Sequence, residues 1–392
     1  MESELDFFIL DLLIYFIYYL LFITYYVLKV LVPTVNIKIK NKPLPMEAKA
    51  GSLTVTVLED LEAPAMFTIE LNSWDLVNNE ANWVDSDEWF GLGNEIAIEI
   101  GYKSQTDKFI MLGEITGLEP EFTQNGATLT VRGHNHGHRL LRGRQTKTYA
   151  KKTDSDIAKE IAKDYGLTTT EASKSTIITT NTQHPYVVRY NQTALEFLQD
   201  RARRIGYEVF VINKSLYFRP SQHNTKEIST LDIEDLSQFS PRLSSLSQVS
   251  QVEVHSRQPL DKTGEEWTKS LVTQATVSDM KAMGSNPGST VVKSAFSKYG
   301  AVSEVINRPI FTAKEAEDLA QGQFNDLALS YITGEGNCAG NVQLRAGNVI
   351  KFTGLGKRFS GNYYLTSTTH TYSTESGYTT DFSVKSNADF IK

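Results

Sequence analysis

From Val35 to about Val131, apolar residues recur at every second position, and this alternation limits the fold more than any other feature of the chain. Leu53, Val55 and Val57 alternate with threonines, and Phe67, Ile69 and Leu71 with Thr68 and Glu70. Ile96, Ile98 and Ile100 alternate with Ala97 and Glu99, and Leu129 with Val131 closes the series. Side chains two apart share a strand face, so each run predicts a strand with one buried and one solvated side. Asn41-Lys42-Pro43, Gly91-Leu92-Gly93 and Asn125-Gly126 supply turns between the runs. Short strands at this spacing predict a barrel or a sandwich.

The period changes after residue 147. Asp154 is placed to cap a helix carrying Ile157, Ile161 and Tyr165, stopped by Gly166. Thr193 and Glu196 form a capping box for a second helix, with Leu195, Leu198, Ala202 and Ile205 on one face and Gly206 as its stop. Val209 and Val211 then alternate, Asn213-Lys214-Ser215 turns the chain, and Leu216 to Arg219 returns it. A small α/β domain is expected. Arg201, Arg203 and Arg204 read as a solvated helix face pairing with Glu196 and Asp200, or alternatively as a subunit contact. Strand character resumes at 233–256, with Val252 and Val254 alternating in QVEVHS. Gly284 to Gly288 is a flexible loop, and Thr312 with Glu315 caps an amphipathic helix bearing Ala316, Leu319, Phe324 and Leu327. β-Pattern returns at Val349–Phe352, Tyr363–Thr368 and Tyr378–Val384.

The 392 residues suffice for several cores. A net charge of −7 argues against a general nucleic-acid binder. The single cysteine, Cys338, excludes an internal disulfide and a cysteine-rich zinc site, and reads as a small residue near a glycine-rich turn. Residues 7–32 are apolar and aromatic over a length sufficient to span a bilayer. The acidic start (Glu2, Glu4, Asp6) is wrong for a secretory signal, and Lys38, Lys40 and Lys42 would hold the bulk of a spanning chain on the cytoplasmic side. Two readings stand: a membrane anchor, or an extension upstream of a soluble domain.

Residues 134–138 read His-Asn-His-Gly-His. On a strand, His134, His136 and His138 would share one face, and imidazoles are common metal ligands. No further ligands follow; Arg139, Arg142 and Arg144 do. The segment is therefore expected to be a strand end running into an exposed basic loop. No Walker loop, nucleotide-binding glycine fingerprint, HExxH or GxSxG is present in the sequence. No catalytic, cofactor-binding or metal-binding residue is assigned, and no cofactor is expected.

Four strings in series carry a resemblance. TLTVRGHNHGHRLLRGRQTKTY with TDSDIAKEIAKDYGL, then YVVRYNQTALEFLQDRARRIGYEVFVINKSLYFRP, then SPRLSSLSQVSQVEVHS, then ALSYITGEGNCAGNVQLRAGNVIKFTGLGKRFSGNYYLTSTTHTYS with GYTTDFSV span about residues 35–386. Together they resemble the phage late control D family, the hub proteins of contractile tails and contractile injection systems, similar to the N-terminal part of the type VI spike protein VgrG. The resemblance implies a mainly β fold with α+β insertions: two tube-like β-barrels, a small α/β domain and a helical insertion. The implied organisation is a hydrophobic segment at 1–34, a first barrel at 35–146, the α/β domain at 147–232, and a second barrel at 233–392 with an insertion at about 257–331. It also makes the histidine run a polar link between barrel and α/β domain.

The implied function is that of a non-enzymatic homotrimeric hub, assembled in the cytoplasm into the baseplate of a tail-like particle. Three copies would turn the six-fold symmetry of an inner tube protein into the three-fold symmetry of a spike. The hydrophobic N-terminus departs from the family pattern, and the chain ends at Lys392 without a neck or needle, so a separate spike protein is expected. Other baseplate subunits are expected partners, and nucleic-acid specificity is not expected. Two alternatives compete: a baseplate component tethered to a membrane through residues 7–32, and a tail-associated hydrolase or nuclease using His134, His136 and His138.

Overall fold

The structure, a computed structural model, describes residues 31–391 apart from 50–52, 76–77, 79, 107, 125, 258–269, 277–281, 296–302 and 308–312. The apolar stretch 7–32 lies almost wholly outside the described residues, as does Thr312 of the expected capping pair. Among the described residues no helix is long and apolar enough to cross a membrane. Strands and α-helices of five residues or more are numbered in chain order.

The alternating runs are strands. β1 (Pro33–Ile39), β2 (Leu53–Asp60), β3 (Met66–Asn72), β4 (Glu95–Tyr102), β5 (Lys108–Thr123) and β6 (Gly126–Asn135) pair antiparallel in the order β2-β3-β6-β5-β4-β1. Val55, Val57, Phe67, Ile69, Ile98, Ile100, Leu129 and Val131 are fully buried on one face. The register puts Thr56, Thr68 and Arg132 side by side on the other. Two glycines permit close packing here: a Cβ on Gly133 would lie 2.1 Å from the Phe67 ring, and one on Gly113 would lie 2.5 Å from the His134 carbonyl oxygen.

The α/β segment contains β7 (Gln145–Thr153), α1 (Asp154–Asp164), β8 (Gln183–Gln192), α2 (Ala194–Arg203), β9 (Tyr207–Ile212) and β10 (Ser215–Pro220). β7 pairs with β8 and β9 with β10, each as an antiparallel ribbon. Ile157, Ile161, Leu195, Leu198, Ala202 and Phe218 form its separate core. The capping box of α2 is present: the Thr193 hydroxyl accepts from Glu196 N at 3.2 Å and the Glu196 carboxylate accepts from Thr193 N at 3.0 Å. For α1 the expectation fails by one residue. Thr153 caps the helix, reciprocally with Asp156, and Asp154 sits inside the first turn with its side chain buried.

The last segment holds β11 (Leu236–Leu243), β12 (Gln251–Arg257), β13 (Ser270–Thr276), α3 (Gly288–Ala295), β14 (Ser303–Asn307), α4 (Ala313–Leu329), β15 (Ile332–Ala339), β16 (Gly361–Ser373) and β17 (Gly377–Ser386). QVEVHS is a strand, β12, but it does not join the large sheet. It pairs with β13 and β14, and Val252 and Val254 pack under Ala316, Leu319 and Phe324 of α4.

β16 joins the chain's two β-rich regions. Its first half pairs with Val349–Phe352, and from Ser367 to Ser373 it pairs with β2. A bulge falls between Leu365 and Ser367, where one partner replaces the other. Bulges bend a strand and re-aim it. The result is one thirteen-stranded sheet running β11-β15-β17-β16-β2-β3-β6-β5-β4-β1, completed by three short strands. All its pairings are antiparallel except that of Ser229–Leu231 with Val349–Phe352. The chain is therefore mainly β, with the α/β segment and the helix-bearing sheet of β12–β14 set between the two β-rich regions.

Gly206 ends α2 with φ +65, where a side chain would be strained, and a Cβ on Gly322 of α4 would meet Gly206 N at 2.6 Å. The two backbones touch because neither residue has a side chain. Gly322→Ala is expected to destabilise the protein by about 1–3 kcal/mol through this clash. The urea midpoint of the variant tests it, and an unchanged midpoint would contradict the close approach.

Candidate functional site

Three buried polar clusters organise the described residues, and one contains the histidine run. β6 ends at Asn135, and a 3-10 turn, His136–Leu141, follows. The Asn135 side chain accepts from Gly137 N at 3.0 Å, capping the turn, and donates to Val211 O at 2.6 Å. The expected exposed loop is thus a buried turn, with His136 and His138 almost without solvent contact. The reason lies in β9–β10, whose tip is inserted beside it. Asn213 accepts from Leu112 N through its side chain at 3.0 Å, and its carbonyl takes the His136 Nδ1–H at 3.1 Å.

The rings have separate partners. His134 Nδ1 meets the Thr116 hydroxyl at 3.0 Å. His138 Nε2 donates to Glu114 at 2.7 Å, and Arg139 grips the same carboxylate through two nitrogens. His136 Nε2 lies 3.7 Å from Glu95, which also takes Lys214 at 2.6 Å. Burial would raise the Glu114 carboxyl, but hydrogen bonds from Arg139 and His138 outweigh it and hold it at about 2. Burial lowers all three imidazoles. Among the described residues no three metal-ligating side chains converge. The arrangement is chemically a bracket between β5 and the α/β segment.

The second cluster is inside the α/β segment. Arg201 donates from Nε to Asp154 at 2.6 Å, His184 Nε2 lies 3.1 Å from the other oxygen, and Arg201 Nη2 lies 2.7 Å from that same Nε2. Burial would raise the Asp154 carboxyl, and hydrogen bonds from His184 and Arg201 bring it below the usual range. The cluster ties α1 to β8 and α2. The solvated arginine face expected of α2 is therefore corrected: Arg201 is buried, Arg204 lies 3.6 Å from Glu315 of α4, and Arg203 pairs along the helix with Asp200. Glu196 takes Arg144 instead.

The third cluster is at the seam between β2 and β16. Glu59 on β2 binds Arg345, through Nε at 3.2 Å and through Nη2. The Arg345 guanidinium lies 4.7 Å over the Phe109 ring of β5, and Phe109 stacks on His370 at 4.1 Å. His370 is fully buried. Its Nε2–H donates to Leu344 O at 2.8 Å and its Nδ1 accepts from the Tyr378 hydroxyl at 2.7 Å. Nearby, Tyr364 of β16 donates to Glu208 of β9, and burial pushes both groups up. Cys338 is buried in β15, and burial pushes its thiol up to about 12, so it supplies no thiolate.

Sequence reading missed Glu59, Glu114, Asp154, His184, Arg345 and His370. Most partners are distant in the chain, 286 residues away for Arg345 and Glu59, and no local period marks such a pair. A polar residue falling on the buried side of an alternating run, as Glu59 does after Val55 and Val57, is the one available signal.

A family model described as the Alg8 N-terminal domain matches residues 30–374. The chain belongs to that family. No curated protein matches its sequence. The fold of this Alg8 N-terminal domain recurs in solved structures. A 43 kDa tail protein of prophage MuSo2 from Shewanella oneidensis has a TM-score of 0.63 at 14% identity, over 90% of this chain and 98% of that one. A tail protein from Neisseria meningitidis MC58 has a TM-score of 0.61 at 13% identity, over 92% and 98%. An E. coli component of the type VI secretion system has 0.54 at 15%, over 91% and 78%. At these identities the likeness is one of fold.

Two measurements test the seam. Removing one partner of a buried pair leaves a charge without compensation, so Arg345→Ala should cost about 3 kcal/mol in urea unfolding, while Arg345→Met with Glu59→Gln should recover part of it. Equal loss in both variants would contradict the ion-pair account. Burial pushes His370 down to about 4 from an unfolded value near 6.5. The unfolded chain then binds the extra proton first, so this stability is complete above pH 6.5 and fades as pH falls toward 4. The loss is roughly 3 kcal/mol. His370→Gln should start less stable but lose less over that window; a parallel pH profile would refute the assignment.

Proposed function

We propose that this protein is the structural hub of the baseplate of a contractile tail or contractile injection system. Three copies form a ring, and the two β-rich regions of each act as tube-like barrels. Six barrels seat the hexameric inner tube on one side, and the three-fold ring seats a separate spike trimer on the other. Closed rings built from heterologous contacts require no symmetry within the subunit, so two unequal β-rich regions per copy can serve. Assembly takes place in the cytoplasm, into a tail-like particle.

The observation that carries this reading is the fold likeness to prophage tail proteins, which takes in about nine-tenths of this chain and nearly all of theirs. The four strings resembling the late control D family point the same way. The sheet adds a physical argument. Opposite the buried side of the sheet, β2, β3, β6, β16 and β17 carry mostly hydroxyls and acids, among them Thr56, Thr68, Thr130, Thr369, Asp381 and Ser383. A groove of about 290 Å³ on this face is lined by Gln238, Glu335, Asn337 and their neighbours. Such a surface suits an aqueous passage that should retain nothing. The role requires no catalysis, and the histidines that could have suggested a nuclease are spent on neighbouring groups within the chain.

Deleting the gene in the source organism and imaging particles by electron microscopy tests the reading. Loss of assembled baseplates, with tube and sheath proteins still made, is expected. Complete particles carrying both tube and spike would overturn it.

A further inference from the structure

Charge is segregated along this chain. Residues 33–135 hold sixteen Asp and Glu against seven Lys and Arg, whereas residues 145–220 hold eight against twelve. An acidic first β-rich region and a basic α/β segment therefore share one polypeptide. Ion pairs within the chain take up part of this charge, among them Glu119 with Arg132, Glu114 with Arg139, Glu95 with Lys214 and Lys147 with Asp164.

The basic segment also presents an apolar face. On β8, Val187 and Arg189 point inward, while Tyr186, Val188 and Tyr190 stand out at 70%, 49% and 74% exposure. Across the ribbon the register sets Thr148 opposite Val188 and Ala150 opposite Tyr186, so none of these outward positions is charged. Among the described residues β7 and β8 pair only with each other, which leaves the outer edge of each open. Large exposed aromatic residues in a charge-free patch are the composition of an interface centre. In the acidic region, the β5–β6 hairpin ends in an exposed arm with Glu119, Glu121 and Phe122, the last 63% exposed.

We infer that the outer face of the β7–β8 ribbon is the docking surface for a second copy of this chain, which it meets at the β5–β6 arm. The inference rests on the ring proposed above and names its contact. Like-on-like pairing of two ribbons would bring two basic segments together. Ribbon on arm joins opposite charges and apolar side chains, and made head to tail it generates a ring where the rotation closes. Charge attraction between the segments makes the association weaken as salt rises.

The test uses the full chain. Two tagged forms, Phe122→Cys and Tyr190→Cys, are mixed and treated with a short bismaleimide; Cys338 is buried, so background labelling is low. A covalent link between the two tags is expected. Sedimentation of Tyr186→Ser with Tyr190→Ser should show at least tenfold weaker association, with an unchanged circular dichroism spectrum as the check on folding. A trimer that survives the serine replacements, with no mixed cross-link, overturns this contact and leaves the hub reading standing. A wild-type chain that sediments as a monomer overturns both.

Discussion

The pairing of β16 with β2 is the interaction on which the rest of the structure depends. It makes one sheet of two regions that lie hundreds of residues apart in the chain. A contact of that span is entropically costly to close and slow to find, so it needs local reinforcement. The Glu59–Arg345 pair, the Phe109 ring and the buried His370 supply it at a single place. They also fix register. A slip of one residue would turn His370 out of its contacts with Leu344 and Tyr378 and bring a neighbouring threonine inward.

The strands and their buried faces could be read directly, because alternation is a local property. The α2 capping box was legible for the same reason. Partner choice was not. QVEVHS looks like any half-buried strand, yet β12 pairs with β13 and β14 because α4 covers it. Arg201 was read as solvated because helical spacing offers Glu196 and Asp200 nearby. Tertiary packing instead buries it against Asp154, forty-seven residues earlier. The histidine run misled in a similar way. Its alternation is real through His134, but Asn135 caps a 3-10 turn there, and the β9–β10 tip closes over His136.

Among the described residues, several polar pairs cross the places where segments meet. Arg139 holds Glu114 and donates to Tyr165 O, joining the sheet to the α/β segment, Arg204 with Glu315 joins that segment to α4, and Tyr364 with Glu208 joins it to β16. Apolar packing lies mainly within each segment, with Tyr378 joining the first region's core, and hydrogen-bonded charges add contacts between segments. That division suits a part that must hold its shape under load while its outer faces engage neighbours.

Cryo-electron microscopy of the intact particle tests the central claim most directly. The account predicts density for this fold in three copies, arranged about the particle axis where the inner tube meets the spike. Density for the fold elsewhere in the particle, or a copy number other than three at that joint, would contradict it.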